Sequence, residues 1–310
     1  MNTQQSFMRM LHEDHLTAVR LAYIDFRLRF TGTVNRSDLK EVFGLAEAAA
    51  SKVLTTYSSK CPNNMFYDRT LRANAINRKD FVPLFSVDAV TALDMLANGF
   101  DKSKLINTHI LPYSRIGQIP DLLKSETICK ITRAMNNGYA IKCQYYSNNS
   151  NSLSERVLVP VALMYDGRFW NFRAYERKGG NRIDVFKNFS FARTITADEI
   201  LDNNSRRLSH EELEFDHEWN NHVPLVLKLH DNLSKEERNK IRLDFAMQDD
   251  QDELIITQRE SELWILFKQW FIDANDINTT ENEHINRFYK FRLANKSTVD
   301  ALKTNKGNVR

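Results

Sequence analysis

Cysteine, glycine and proline are all scarce in this chain, and each scarcity removes a class of protein. Its 310 residues hold 3 cysteines, Cys61, Cys129 and Cys143. None shows Cys-x-x-Cys spacing, so neither a disulfide framework nor a thiolate zinc site is indicated, and buried free thiols are expected. With 9 glycines and 6 prolines, collagen-like, linker-rich and Gly-rich phosphate-loop architectures fit poorly. No stretch approaches the ~20 consecutive apolar residues of a spanning helix. Arg9, Glu13 and Asp14 stand where a signal peptide would be apolar. The chain is therefore expected in the cytoplasm, without a membrane partner.

Motifs for chemistry are missing too. There is no Gly-x-Ser-x-Gly elbow, Walker loop, dinucleotide fingerprint or His-Glu-x-x-His helix. His210, His217, His222 and His230 form a loose group, but none has the i, i+4 spacing with a Glu that makes a zinc helix. Carboxylate pairs such as Asp249-Asp250 lie in loop-like stretches rich in their own kind. No catalytic residue, metal or cofactor is expected. A nuclease is the enzymatic alternative, because basic grooves serve nucleases as well.

What remains is a globular composition, 42% apolar, 11% aromatic and 27% charged, over a length that predicts two or three domains. The net charge of +3 is unevenly spread. Residues 1–85 carry 12 Lys/Arg against 8 Asp/Glu, residues 86–205 carry 15 against 12, and residues 206–310 carry 16 against 20. The N-terminal excess gains meaning only where DNA would lie.

Leu16, Val19, Tyr23, Phe26 and Phe30 recur at helical spacing, and Thr31-Gly32-Thr33 ends that helix. A short second helix is expected with Ser37 as N-cap, then Leu39, Val42 and Phe43, stopping at Gly44. In a third, from about Glu47 to Ser59, Ala50, Val53, Leu54 and Tyr57 form an apolar stripe. Ala48, Ser51, Lys52, Thr55, Thr56 and Ser59 fall opposite. That small, hydroxylated, basic face can approach phosphates or base edges, as a recognition helix does in a major groove; an ordinary solvent face is the plainer alternative. Two short strands around Asp68-Arg69-Thr70 follow, with Arg72 close behind and Arg78-Lys79 before Phe81-Val82-Pro83. Three helices and a hairpin describe a winged helix-turn-helix over residues 1–85. Arg69 and Arg72 lie near the wing tip, and Arg36, Ser51, Lys52, Thr55, Thr56 and Ser59 complete the DNA-binding candidates.

A connecting helix at 87–96 and an extended linker broken by Pro112, Gly117 and Pro120 lead to a boundary near residue 120. Short β-type runs are expected at 140–146, 156–164, 169–175 and 183–191, with turns at 147–152, Asp166-Gly167 and Gly179-Gly180. They suggest a small antiparallel barrel. Several of its side chains, namely Tyr145, Ser147, Arg156, Trp170, Arg173 and Arg193, come from successive strands and could converge at one mouth; Asn171 and Tyr175 complete the ligand-binding candidates. Guanidinium groups beside aromatic faces suit an anionic nucleotide or a short nucleic-acid fragment. The alternative is aromatics in the core and arginines in surface ion pairs.

Tyr145-x-Ser147, Arg156 to Leu163, Asp166-Gly167-Arg168-Phe169-Trp170-Asn171-Phe172-Arg173-Ala174-Tyr175 and Phe189-x-Phe191-x-Arg193 resemble the WYL domain, an Sm-like barrel of bacterial transcription regulators. The Trp-Tyr-Leu triplet of its name stands here as Trp170-Asn171-Phe172. Gly32-Thr33-Val34-Asn35-Arg36-Ser37-Asp38-Leu39, Phe43-Gly44-Leu45, Ala50-Ser51 and Tyr57 are similar to the winged helices of WYL-bearing repressors of phage-defence operons of the BREX and CBASS type. The resemblance covers roughly residues 15–200. It implies a homodimeric repressor that binds a pseudo-palindromic double-stranded operator and responds to a nucleotide or nucleic-acid effector. Asn171, Val161 and Thr194 replace the usual Tyr or His, His and Ile, so the identity of the effector does not carry over.

The last third begins with an acidic run, Glu211-Glu212-Leu213-Glu214-Phe215-Asp216. An apolar strand at 223–229, a helix opened by the capping box Ser234-Lys235-Glu236-Glu237, a strand at 253–257 and a helix with Leu263, Trp264, Leu266, Phe267, Trp270 and Phe271 as core stripe follow, a dimer contact being the alternative for that stripe. The expected whole is an α+β multidomain protein: winged helix-turn-helix (1–85), linker (86–120), WYL domain as an Sm/SH3-like β-barrel (121–205), and a small C-terminal α+β domain for assembly (206–310), similar to the extension after many WYL domains. An activator of the same architecture is the remaining alternative.

Overall fold

The computed structural model describes residues 3–106, 111–112, 116–117, 119, 122–147, 152–178, 185–275 and 288–303. Its backbone divides into two compact units, Met1–Leu208 and Ser209–Arg310.

In the first unit α1 (Thr3–Glu13) leads into α2 (His15–Thr31), followed by β1 (Thr33–Val34), α3 (Arg36–Phe43), α4 (Glu47–Lys60), β2 (Met65–Asp68) and β3 (Ala73–Ile76). The three short strands pair in the order β1-β3-β2. Helix α2 is apolar on two sides rather than one. Leu21, Ile24 and Leu28 pack with Leu39, Ala50, Leu54, Tyr57 and Ile76, while Ala18, Val19, Ala22, Phe26 and Phe30 join a second cluster with Ile128, Ile131 and Ala134. A helix buried all round serves two cores at once, which is why the expected single stripe fails at Leu16, 65% exposed at the first turn. Gly32 ends α2 at φ +82, and a Cβ there would meet Asn137 Nδ2 at 3.1 Å, so both backbone and space require glycine. The N-cap of α3 is Asn35, not Ser37: the Asn35 side chain accepts from the Asp38 N–H and Asp38 answers to the Asn35 N–H, a complete capping box.

After α5 (Ala89–Asn98) and α6 (Ser103–Ile106), helix α7 (Ser125–Asn137) precedes strands β4 (Ile141–Tyr146), β5 (Leu153–Tyr165), β6 (Trp170–Arg177), β7 (Val185–Ser190) and β8 (Thr194–Glu199). The strands form one antiparallel sheet, ordered β7-β6-β5-β4-β8. Among the described residues no pairing joins β7 to β8, so the sheet is open rather than a closed barrel. Neither α7 nor β8 was anticipated. The turn residues expected at 148–151 and 179–180, residues 183–184 of one strand, and Pro120 lie outside the described residues. Cys129 and Cys143 are buried free thiols and Cys61 is half-buried. Burial pushes Cys61 up to about 11 and Cys143 up to about 12, which keeps both protonated and unreactive near neutrality.

The second unit holds α8 (His217–Asn220), β9 (His222–Leu229), α9 (Lys235–Asp244), β10 (Glu253–Arg259), α10 (Leu263–Gln269), β11 (Ile272–Asp273), β12 (Phe291–Leu293) and α11 (Lys296–Leu302). The sheet runs β10-β9-β12-β11. Val223, Leu225, Leu227 and Leu229 alternate inward along β9 against Ile241, Leu263, Phe291 and Val299. The capping box Ser234/Glu237 starts α9 as expected. The 263–271 stripe is only partly core: Leu263 is buried and Leu266, Phe267 and Trp270 pack on the cluster, whereas Trp264 and Phe271 are 49% and 46% exposed. No helix among the described residues is long and apolar enough to cross a membrane.

Candidate functional site

Helix α4 is oriented by what it buries. Ala50, Leu54 and Tyr57 turn inward, which leaves Ala48, Lys52, Thr55 and Ser59 exposed and Ser51 and Thr56 half-buried. Three of the hydroxyls, those of Thr55, Thr56 and Ser59, are engaged with their own helix. Thr55 Oγ1 donates to the Ser51 carbonyl at 3.1 Å, Thr56 Oγ1 to Lys52 at 2.9 Å and Ser59 Oγ to Thr55 at 3.0 Å. With their protons so placed, the outward oxygens act as acceptors, suited to the amino groups of adenine or cytosine in a major groove. Lys52 supplies the positive charge on this face.

The wing stands beside it. Its turn is held by the Asp68 carboxylate, which accepts from the backbone N–H of Thr70 at 2.8 Å and of Leu71 at 3.0 Å. Arg69 and Arg72 are both exposed, and Arg72 has φ +51, a left-handed conformation uncommon for a long side chain. A cleft of about 280 Å³ separates wing and helix and gathers Arg36, Ser51, Leu54, Tyr67 and Arg72. Arg36 Nη1 lies 3.3 Å from Glu47 Oε1 on the surface. The structure thus brings Arg36, Ser51 and Arg72 together, with Lys52, Thr55, Thr56 and Ser59 on the adjoining face. Tyr67, 61% exposed on β2, was overlooked; its signal was an aromatic at an outward strand position.

Behind this surface lies a buried polar chain. Tyr57 donates to Asp25 Oδ1 at 2.6 Å and accepts from Asn64 Nδ2 at 2.9 Å. Asn64 also clamps the Val82 backbone in both directions, at 2.8 and 2.9 Å. The chain ties α4 to α2 and to the segment leaving the wing. Burial lifts the Asp25 carboxyl from 3.8 to about 7, against the lowering effect of the Tyr57 hydrogen bond. A raised acid in the folded state costs stability as pH rises from about 4, where the unfolded chain ionises, to about 7, where the folded one does. Asp25→Asn is therefore expected to flatten this loss, worth at most ~4 kcal/mol across that window, in urea titrations compared at pH 4.5 and 8; an unchanged pH profile would contradict it.

A second buried cluster ties the wing and α2 to the five-stranded sheet. Arg133 on α7 forks onto Glu199, Nε to Oε1 at 3.0 Å and Nη2 to Oε2 at 2.7 Å, and its Nη1 donates to the Arg29 carbonyl at 2.8 Å. Tyr139 also donates to Glu199, and Arg78, just past the wing, reaches the same carboxylate at 3.2 Å. Asn137 Nδ2 donates to the Thr31 carbonyl at 2.7 Å, serving the C-terminus of α2. Burial alone would raise the Glu199 carboxyl, but the hydrogen bonds and charge of Arg133, with Tyr139 and Arg78, hold it below its ordinary value.

The eight sheet candidates do not form one mouth. Strand parity puts Trp170 on the face of Phe172, Ala174 and Glu176, and Asn171, Arg173 and Tyr175 on the other. On the first face Tyr145 and Trp170 are 5% and 6% exposed. The Tyr145 hydroxyl accepts from the Ser190 N–H at 3.2 Å, and the Arg193 guanidinium lies 5.4 Å from the Tyr145 ring centroid. Arg156 is ion-paired with buried Glu176, which also receives Lys187 at 2.9 Å. A cavity of about 500 Å³ opens there, lined by Ser152, Ser154, Glu155, Arg156, Val157, Glu176, Arg177 and Lys178. On the second face Arg173 is 2% exposed and donates to Asn188 at 2.9 Å, Asn171 donates toward Asp166 at 3.4 Å, and Tyr175 meets Phe186 edge-on at 5.0 Å. Ser147 follows β4, its N–H donating to the Ser152 carbonyl at 3.3 Å. Any anion entering the cavity must compete with Glu176 for Arg156. No group of three or more His, Cys, Asp or Glu able to hold a metal occurs among the described residues.

Two family models match: the BrxR transcriptional regulator winged helix-turn-helix domain over residues 17–98 and the WYL domain over residues 126–193. The DNA-binding transcriptional repressor CapW of Pseudomonas aeruginosa is 30% identical over 234 residues, 74% of this chain and 75% of that protein. CapW of Escherichia coli strain KTE188 is 27% identical over 288 residues, 91% and 90% of the two chains. Among solved structures, proteasome accessory factor B/C (PafBC) of Arthrobacter aurescens aligns at 12% identity and a TM-score of 0.24. That alignment covers 94% of this chain and 53% of the other, so this chain spans about half its length.

Proposed function

This chain belongs to the family of the DNA-binding transcriptional repressor CapW, and from that we propose that it represses transcription as a homodimer on a pseudo-palindromic operator. The observation that carries the reading is the outward polar face of α4 set beside an arginine-bearing wing across one cleft. One winged helix offers few contacts, so specific binding at nanomolar concentration calls for two, with half-sites ~34–36 Å or a multiple apart. The family is regulatory rather than enzymatic, which leaves the nuclease alternative without support, and the relatives' names favour repression over activation.

Within this reading, residues 1–85 bind DNA, 86–120 connect, 121–205 sense through the five-stranded sheet and 206–310 assemble the dimer, in the cytoplasm. The regulated genes are a phage-defence operon of the BREX or CBASS type. An anionic nucleotide or nucleic-acid fragment, held by Arg156 and Arg193 with Tyr145, releases the operator by favouring the DNA-free conformation. Coupling of ~1–3 kcal/mol would weaken operator affinity about 5 to 150-fold. Arg156→Ala and Arg193→Ala are expected to leave operator binding in gel shifts within about threefold of the parent while abolishing induction of a reporter during phage challenge. Normal induction in both variants would remove the sensing site from this sheet.

A further inference from the structure

Strand β10 is the outermost strand of the second unit's sheet, with β9 on one side and, among the described residues, no strand on the other. Its register against β9 runs without a break from Glu253 opposite Lys228 to Arg259 opposite His222. At its two ends the Asp252 carbonyl accepts from the Leu229 N–H and the Glu260 N–H donates to the Asn221 carbonyl, both at 2.9 Å. Antiparallel ladders alternate, so even-numbered residues spend their backbone groups on β9, and Glu253, Ile255, Thr257 and Arg259 direct theirs to the open edge.

Natural edge strands are commonly guarded by charged side chains, lysine above all, by proline or by a bulge, and the charges here, Glu253 and Arg259, stand only at the two ends. Between them, Leu254 to Gln258 hold no charge, proline or bulge, and Ile255 is 67% exposed. We propose that the open edge of β10 pairs antiparallel with β10 of a second copy of this chain, about a two-fold axis at Ile256, joining two four-stranded sheets into one. The inference rests on the dimer reading above and names the surface that makes it.

Charge complementarity selects the register. Open-edge groups meet only where odd residues face odd residues. Centring on Ile255 would oppose Glu253 to Thr257 and leave Arg259 facing Gln251; centring on Thr257 would oppose Ile255 to Arg259. Centring on Ile256 opposes Glu253 to Arg259 of the other copy at both ends and Ile255 to Thr257 between them. Opposite charges directly across an antiparallel pair are favourable and like charges unfavourable. Arg259 is already steadied at the strand end, its Nη1 donating to the Trp219 carbonyl at 2.6 Å and its guanidinium 4.7 Å from the Trp219 ring centroid. The Glu253 carbonyl accepts from Gln251 Nε2 at 2.6 Å and keeps a second lone pair for the partner strand.

Sedimentation equilibrium of the full chain decides the matter. The parent is expected to be a dimer, and Glu253→Arg or Arg259→Glu to raise its dissociation constant about tenfold or more, since each substitution turns two attractive pairs repulsive. The double variant with both charges exchanged is expected to recover dimerisation to within about threefold. Thr257→Pro removes an open-edge N–H that β9 does not use and is expected to give a monomer with unchanged circular dichroism. A parent dimer indifferent to Glu253→Arg and to Thr257→Pro would overturn the edge pairing while leaving the dimer intact. A parent that stays monomeric would overturn the dimer reading and this one together.

Discussion

Alanine at Lys52 and at Arg72 is expected to produce the largest loss of DNA affinity of any surface substitutions in the chain, ~10-fold or more each in gel-shift titration. Lys52 is the cation on the outward face of α4, and Arg72 lines the cleft between that helix and the wing. If both touch phosphates, each loss should weaken binding to every sequence and reduce the slope of log affinity against log salt by about one. Thr55→Val and Thr56→Val test the other half of the surface. They keep the shape and delete an acceptor oxygen, so they should cost ~1–3 kcal/mol at one base pair and relax specificity there without changing the salt slope. Unaltered affinity for Lys52→Ala and Arg72→Ala together would remove α4 and the wing from the interface.

Glu199→Ala is expected to cost ~3–5 kcal/mol of stability, as much as truncating a large buried core side chain. The carboxylate is 7% exposed and paired with Arg133, itself 9% exposed. Deleting it strands a buried guanidinium and removes the acceptor of Tyr139 and Arg78 in one step. Urea denaturation of the parent, Glu199→Ala and a Glu199→Leu/Arg133→Met double variant checks this, because the double variant removes both charges and should recover much of the loss. The pH dependence has a definite sign. The folded carboxyl lies below its ordinary 4.5, so its contribution is full above that value and is lost as pH falls through the lower folded value. A loss under ~1 kcal/mol for Glu199→Ala would show the cluster to be of surface type.

The winged helix was legible because its signals are local. Gly32 and Gly44 stop α2 and α3 in left-handed conformations, and the Ala50/Leu54/Tyr57 stripe faces the core as its spacing requires. Ser37 misled because Asn35 two residues earlier completes a capping box with Asp38. Helix α7 was missed for a different reason: Thr127, Thr132 and Arg133 are buried along with Ile128 and Ile131. Polar residues blur a helical period unless their partners are known, and the partner of Arg133 is Glu199, on the last strand of the sheet. The eight-residue sensing set was drawn from strand order alone. Alternation along β6 separates Trp170 from Asn171, Arg173 and Tyr175, so strand parity divides that set. Glu176 escaped notice because its role depends on Arg156 and Lys187 reaching it across neighbouring strands.

Operator recognition by a dimer is tested by selecting binding sites with the full chain from a library of random duplexes and footprinting the enriched sequence. We expect an inverted repeat with half-sites an integral number of helical turns apart, both protected, and loss of enrichment when Lys52→Ala and Arg72→Ala are combined. Recovery of no sequence above background, or of an unrepeated site protected by a monomer, would contradict it.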